Sequence, residues 1–161
     1  MAAPGASDQT ALRSRLDDGR KVSAKAIVIA TGARPSVPKP FDGLGEIILT
    51  NETIFEISSL PRSIAVVGAG PLGLELAQAL ARLDVETAVF EQSDHLAALH
   101  DAEVARELRS ILGTEFPIRL GVKLDVETDG HGARLSWSGA STGAALFERI
   151  LVAAGRPPVE S

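Results

Sequence analysis

The run Ser63-Ile-Ala-Val-Val67-Gly68-Ala-Gly70-Pro-Leu-Gly73-Leu-Glu75 organises the chain around it. Ile64 to Val67 is continuously apolar, the pattern of a strand covered on both faces. A glycine turn follows with no intervening residue. Pro71 suits the first position of a helix, where its missing N–H costs nothing. The spacing predicts a helix to about Leu83, with Leu72, Leu76, Leu80 and Leu83 forming one apolar stripe. Val85 to Phe90 is the next strand, and Glu91 closes it, 23 residues beyond Gly68. Each of these residues has a physical task in a dinucleotide site. Gly68 permits the sharp turn, Gly70 leaves room for a pyrophosphate against the backbone, and Gly73 lets the helix close on the strand. The helix N-terminus then offers its N–H groups and positive dipole end to the phosphates. The Glu91 carboxylate accepts the adenosine-ribose hydroxyls. It also repels a 2′-phosphate, and Gln92-Ser93-Asp94 supplies no arginine, so NAD is expected over NADP.

Outward from this unit, a helix is expected from Asp101 or Ala102 to Leu112, with Asp101 as N-cap and Val104, Leu108 and Ile111 on its buried face. A short third strand spans Pro117 to Leu120. From Val122 to Ser138 the pattern alternates, with Asp129-Gly130-His131-Gly132 as a turn, which reads as antiparallel hairpins. A last strand runs from Phe147 to Ala153. The expected fold is α/β: a Rossmann-like three-layer domain with a parallel βαβαβ sheet and an antiparallel β-meander. Upstream, Leu12 to Lys25 reads as a hairpin turning at Asp17-Asp18-Gly19, and Ala26 to Ala30 as a buried strand. Pro35, Pro38 and Pro40 make a stiff linker. Ile47 to Leu49 suits a short strand, and Asn51 to Ile57 a short helix capped by Thr50 or Asn51. The expected boundaries are 1–60 for the N-terminal segment and linker, 61–158 for the dinucleotide domain and 159–161 for a tail.

Composition narrows the function. The 161 residues carry 16 basic and 21 acidic side chains, a net charge of −5, which gives no electrostatic reason to expect nucleic acid or an anionic membrane as partner. No apolar run has the length of a membrane span, and Met1 to Ser7 lacks the apolar core of a signal peptide. The absence of cysteine excludes a disulfide scaffold, a thiol nucleophile and an internal redox disulfide, and fits a reducing, cytoplasmic setting. His95, His100 and His131 have no metal-ligand spacing and read as ordinary loop residues, so no metal site is expected. Trp137, between Ser136 and Ser138, reads as a hairpin face residue.

Three ordered segments resemble the pyridine-nucleotide–disulfide oxidoreductases: Ile27-Val-Ile-Ala-Thr-Gly-Ala-Arg-Pro35, the Ile64–Ala81 unit with Gly73-Leu-Glu75, and Leu151-Val-Ala-Ala-Gly-Arg156. Together they cover roughly residues 15 to 158. The dihydrolipoamide dehydrogenase branch is the nearest, on Gly73-Leu-Glu75 and Glu91. The resemblance implies an NAD-binding domain fragment of a flavoprotein whose parent also holds FAD, a redox-active cysteine pair and a C-terminal interface domain that dimerises it and bears the catalytic His–Glu pair. No catalytic residue is expected in the fragment. It implies that Gly68, Gly70, Pro71, Leu72, Gly73, Glu75, Glu91 and Gly155 border NAD, with Glu75 and Gly155 toward the nicotinamide end. Leu72 would lie where nicotinamide and flavin stack. Thr31, Gly32 and Arg156 would approach FAD. Leu74 and Leu76 flank Glu75 and argue for a buried carboxylate. Val159 departs from the asparagine usual after the Gly-Arg-x-Pro run. The alternatives are the same domain of an NADH oxidase, a mercuric reductase or a transhydrogenase, or a stand-alone NAD-binding module.

Overall fold

The computed structural model describes residues 12–28, 30, 37–130 and 132–155. The chain divides into two compact units, Met1–Gly32 and Ala33–Ser161. In the first, β1 (Leu12–Arg15) pairs antiparallel with β2 (Lys21–Ala24). Gly19 takes a positive φ of 84° at the turn between them. Residues 26–28 form no strand, and Val28 is 87% exposed. An apolar run becomes a buried strand only when strands flank it; among the described residues of this unit, β1 and β2 pair only with each other.

The second unit contains β3 (Ile48–Thr50), β4 (Ser63–Val67), α1 (Pro71–Arg82), β5 (Glu86–Phe90), α2 (Ala102–Leu112), β6 (Ile118–Arg119), β7 (Val122–Asp129), β8 (Gly132–Gly139), β9 (Gly143–Phe147) and β10 (Arg149–Val152). Five strands form one parallel sheet in the order β3-β10-β4-β5-β6. β7, β8 and β9 make a separate antiparallel meander. The central strands alternate between two cores, as the two-residue pleat requires. Ile64, Val66, Val89 and Leu151 pack with Leu74, Ala77 and Leu80 of α1 and Leu112 at the end of α2. Ala65, Val67, Ala88, Phe90, Ile150 and Val152 pack instead with Leu135 and Trp137 of the meander and Phe147. The domain is therefore three layers: helices, parallel sheet and meander. Phe90 anchors the second core, its ring 5.2 Å from that of Trp137 and 5.9 Å from that of Phe147.

Several sequence expectations change in detail. The compact unit begins before Pro61: Phe41 and Ile54 are buried in it, and β3 adds an edge to the sheet beside β10. The short helix near Thr50 is the single 3-10 turn Thr53–Glu56, and the Thr50 hydroxyl accepts the Thr53 N–H at 3.3 Å. The predicted Phe147–Ala153 strand is interrupted at Glu148, which separates β9 from β10. The buried face of α1 is Gly73, Leu74, Ala77 and Leu80, and Leu83 is exposed. That face is set by Gly73, which packs closely on the Gly68 carbonyl and Ala153, and Leu72 and Leu76 are left half-buried. On α2, Asp101 caps as expected, accepting N–H bonds from Glu103 and Val104 at 2.9 and 3.1 Å. Val104 and Ile111, however, are 50% and 54% exposed, because α2 rests on the layer by its last turn, through Leu108 and Leu112. Among the described residues no helix is long and apolar enough to cross a membrane.

Candidate dinucleotide site

The carboxyl ends of β10, β4 and β5 lie side by side, at the point where the chain leaves β4 toward one edge of the sheet and returns through β10 on the other. In open parallel sheets that switch point is where ligands bind. Ordinary ladder bonds continue past the strands here: Ala153 N–H donates to Val67 O at 2.8 Å, Gly68 N–H to Phe90 O at 2.8 Å, and Glu91 N–H to Arg119 O at 2.9 Å.

The three glycines answer to different requirements. Gly68 has a φ of +113°, and a Cβ there would stand 2.8 Å from Ala153 O. A Cβ on Gly73 would fall on the Gly68 carbonyl oxygen. Both positions are glycine because the protein's own backbone leaves no space. Gly70 differs. Its φ of −70° is open to any residue, and a Cβ built there meets nothing within 4 Å. Among the described residues no atom crowds this position, and the space beside the helix start is open. No side chain caps α1, which starts directly after Gly70. Leu72 and Gly73 therefore bring first-turn N–H groups without intrahelical acceptors to the same mouth.

Glu91 turns toward the glycine turn. Its Oε2 accepts the Ala69 N–H at 2.9 Å and its Oε1 the Ser93 N–H at 2.9 Å. Two main-chain donors fix the carboxylate while each oxygen keeps a second lone pair, the arrangement needed to accept two vicinal hydroxyls. The glycine turn and the distant acid thus meet, as their spacing suggests. Gly155 follows β10 with a φ of +74° and, among the described residues, no neighbour at its missing Cβ, and Ala153 reaches Gly68. Leu72 is half-buried. Glu75 is exposed on the first turn of α1, contrary to the burial expected from its leucine neighbours: Leu74 faces the core, and a residue one position on stands about 100° away around the helix. Thr31, Gly32 and Arg156 lie outside the described residues.

Two clefts open on this corner. One, of about 440 Å³, is bordered by Gly68, Glu91, Gln92 and Ala154, with Phe41 and Leu124 among its apolar walls. The other, of about 280 Å³, runs from Gly70 and Glu91 along Ser93, His95, Leu99 and His100. Neither Phe41 nor Leu124 carries a sequence signal for a ligand; one sits in a proline-rich stretch and the other in an alternating strand. The histidines do have one, since they fall in the loop directly behind the acid that ends the second strand of the unit.

A family model described as pyridine nucleotide-disulphide oxidoreductase matches residues 4–161. A mercuric reductase of Lysinibacillus sphaericus is 32% identical over 150 residues, covering 88% of this chain and 26% of that protein. A dihydrolipoyl dehydrogenase of Bacillus subtilis (strain 168) is 34% identical over 88 residues, covering 55% of this chain and 19% of that protein. Among solved structures, the HOCl-induced flavoprotein disulfide reductase RclA from Escherichia coli gives a TM-score of 0.74 at 19% identity, covering 95% of this chain and 35% of that one, a likeness of fold. The chain spans about a quarter of the length of the mercuric reductase it matches.

Proposed function

The chain belongs to the pyridine nucleotide-disulphide oxidoreductase family, and from that premise we propose that the Ala33–Ser161 unit is the NAD(H)-binding domain of an FAD-dependent oxidoreductase, nearest to dihydrolipoamide dehydrogenase. In such a protein the nicotinamide exchanges a hydride with the flavin, chemistry that the two cofactors supply. The task of this chain is to bind and orient. Gly68, Gly70 and Gly73 shape the turn under the pyrophosphate, and Pro71 presets the helix start. The N–H groups of Leu72 and Gly73 donate to the phosphates. Glu91 accepts from the adenosine ribose. Glu75 and Gly155 serve the nicotinamide end, and the resemblance assigns Thr31, Gly32 and Arg156, which lie outside the described residues, to FAD. NAD is favoured over NADP because the fixed Glu91 charge opposes a 2′-phosphate and residues 92–94 bring no arginine. The disulfide half of the reaction needs thiols that these 161 residues do not contain. The relatives include both a mercuric reductase and a dihydrolipoyl dehydrogenase, so the reducible substrate belongs to the whole protein, which we take to be a cytoplasmic homodimer formed through another domain.

The observation that carries this reading is Gly70: an unconstrained backbone position with empty space where a side chain would stand, beside helix N–H groups and a carboxylate held by two main-chain donors. Titration of the chain with NADH, followed by calorimetry, is expected to saturate. Glu91→Ala is expected to weaken binding by about tenfold or more, the effect of losing hydrogen bonds to a charged acceptor. A flat titration at millimolar NADH refutes the proposal.

A further inference from the structure

Resting on that reading, we propose that Gly139, in the antiparallel meander, is a positioning residue for Glu91: the end of β8 clamps the crossing from β6 to β7, and that crossing holds the carboxylate where it grips the ribose. Neither Gly139 nor Trp137 borders the two clefts at the glycine turn, so their effect on a bound dinucleotide passes through other residues.

The main chain around Glu91 is tied to the crossing at residues 119–122 by three hydrogen bonds. Glu91 N–H donates to Arg119 O at 2.9 Å, Val122 N–H to Glu91 O at 3.1 Å, and Gly121 N–H to Ser93 O at 2.8 Å. Ser93 N–H in turn donates to Glu91 Oε1 at 2.9 Å. A shift of Gly121 therefore reaches a carboxylate oxygen through Ser93. The meander clamps the crossing at two points. Ala140 N–H donates to Gly121 O at 3.0 Å. The Arg119 guanidinium lies over the Trp137 ring, with Cζ 4.6 Å from the centroid. Arg119 Nε and Trp137 Nε1 are both buried and have no hydrogen-bond partner among the described residues, so stacking carries this contact.

Gly139 is where the clamp closes. Its φ is +123°, and a Cβ there would stand 2.5 Å from Gly121 O. Glycine alone adopts that backbone without strain, and any side chain would displace the carbonyl that Ala140 holds. A binding group must be kept within about 0.5 Å of its productive position by the residues behind it. Gly130, at the opposite end of the β7–β8 hairpin, gives the contrast. Its φ is +61°, but a Cβ there meets no described atom within 4 Å, so a substitution strains the meander without touching the crossing.

The test measures, by calorimetry, binding of NADH and of 2′-deoxy-NADH to the 161-residue chain. The deoxy analogue lacks one of the adenosine-ribose hydroxyls that Glu91 accepts. The parent is expected to prefer NADH by about tenfold, the worth of one hydrogen bond to a charged acceptor. Gly139→Ala is expected to cut that preference to about threefold or less, because the acceptor is no longer held in place. Arg119→Ala, which removes the stacked guanidinium, is expected to lower it in the same direction and carries the test if Gly139→Ala does not fold. Gly130→Ala is expected to keep the full preference at a lower melting temperature. A preference unchanged in both clamp variants, or lowered equally by Gly130→Ala, overturns the inference and leaves the dinucleotide reading standing. A parent that binds NADH without this preference removes the Glu91 grip, and the inference with it. If NADH does not bind the parent, both readings are overturned.

Discussion

At the residue scale, the three glycines separate what the fold needs from what a ligand needs. A methyl group on Gly73 would occupy the position of the Gly68 carbonyl oxygen, so α1 must move off β4. Gly73→Ala is therefore expected to destabilise the chain by about 1–3 kcal/mol, the range for overpacking a close contact, read as a lower denaturant midpoint. Gly70→Val places its side chain in open space and should cost about 1 kcal/mol or less, the effect of replacing glycine at a helix N-cap. The same variant is expected to weaken NADH binding by about tenfold or more. Equal stability loss in the two variants would show that Gly70 serves the fold after all. The sequence motif already assigns the glycines different tasks, and the folded backbone supplies the atoms that enforce two of them. The obstructing atoms, Ala153 O for Gly68 and Gly68 O for Gly73, are brought there by pairing and packing.

At the scale of elements, caps and staples join segments distant in sequence. Asp101 caps α2, and Asp101→Ala should cost about 1 kcal/mol, a fall in Tm of about 3 °C for a chain of this size. A second device sits where β9 gives way to β10. The Glu148 carboxylate accepts the Arg62 N–H at 3.0 Å while its own N–H donates to Ser63 Oγ at 3.1 Å, stapling the start of β10 to the start of β4. The Arg62 N–H, with the charges of Arg149 and Arg62 behind it, holds the Glu148 carboxyl below its ordinary value of 4.5. A depressed carboxylate stabilises the fold above its unfolded pKa, and that contribution disappears as pH falls through the folded value. Wild type is thus expected to melt about 2 °C above Glu148→Gln at pH 7, and the gap to close below pH 4.5 as the carboxylate takes up its proton. A gap that persists at pH 3 would assign the staple to shape rather than charge. Glu115 behaves in the same sense: hydrogen bonds from Arg82, then Gln78, lower it and tie α1 to the segment after α2.

For the molecule as a whole, both hydrophobic cores lie within Ala33–Ser161. Among the described residues, the buried members of both clusters belong to this unit. A chain trimmed to Ala33–Ser161 is expected to keep a cooperative melting transition and to bind NADH within about twofold of the parent, since domains with their own core fold independently. Thermal denaturation and calorimetry check this together; a trimmed chain that no longer melts cooperatively would refute it. The placement of Phe41 and β3 inside this unit shows why a boundary drawn at Pro61 falls late: prolines at 35, 38 and 40 signal an extended path but not whether that path is covered.

The run from Ser63 to Glu91 was enough to specify the parallel βαβ unit, its glycine turn and the acid that faces it, because apolar periodicity, glycine and a strand-closing carboxylate act locally and over short spacing. The alternation beyond Val122 likewise specified hairpins. Four features required the folded chain: the outward face of α2, the exposed side of Glu75, the coil at residues 26–28, and the two histidines in the cleft beside Glu91. Each depends on which surface a neighbouring layer covers, a long-range contact that no local pattern encodes.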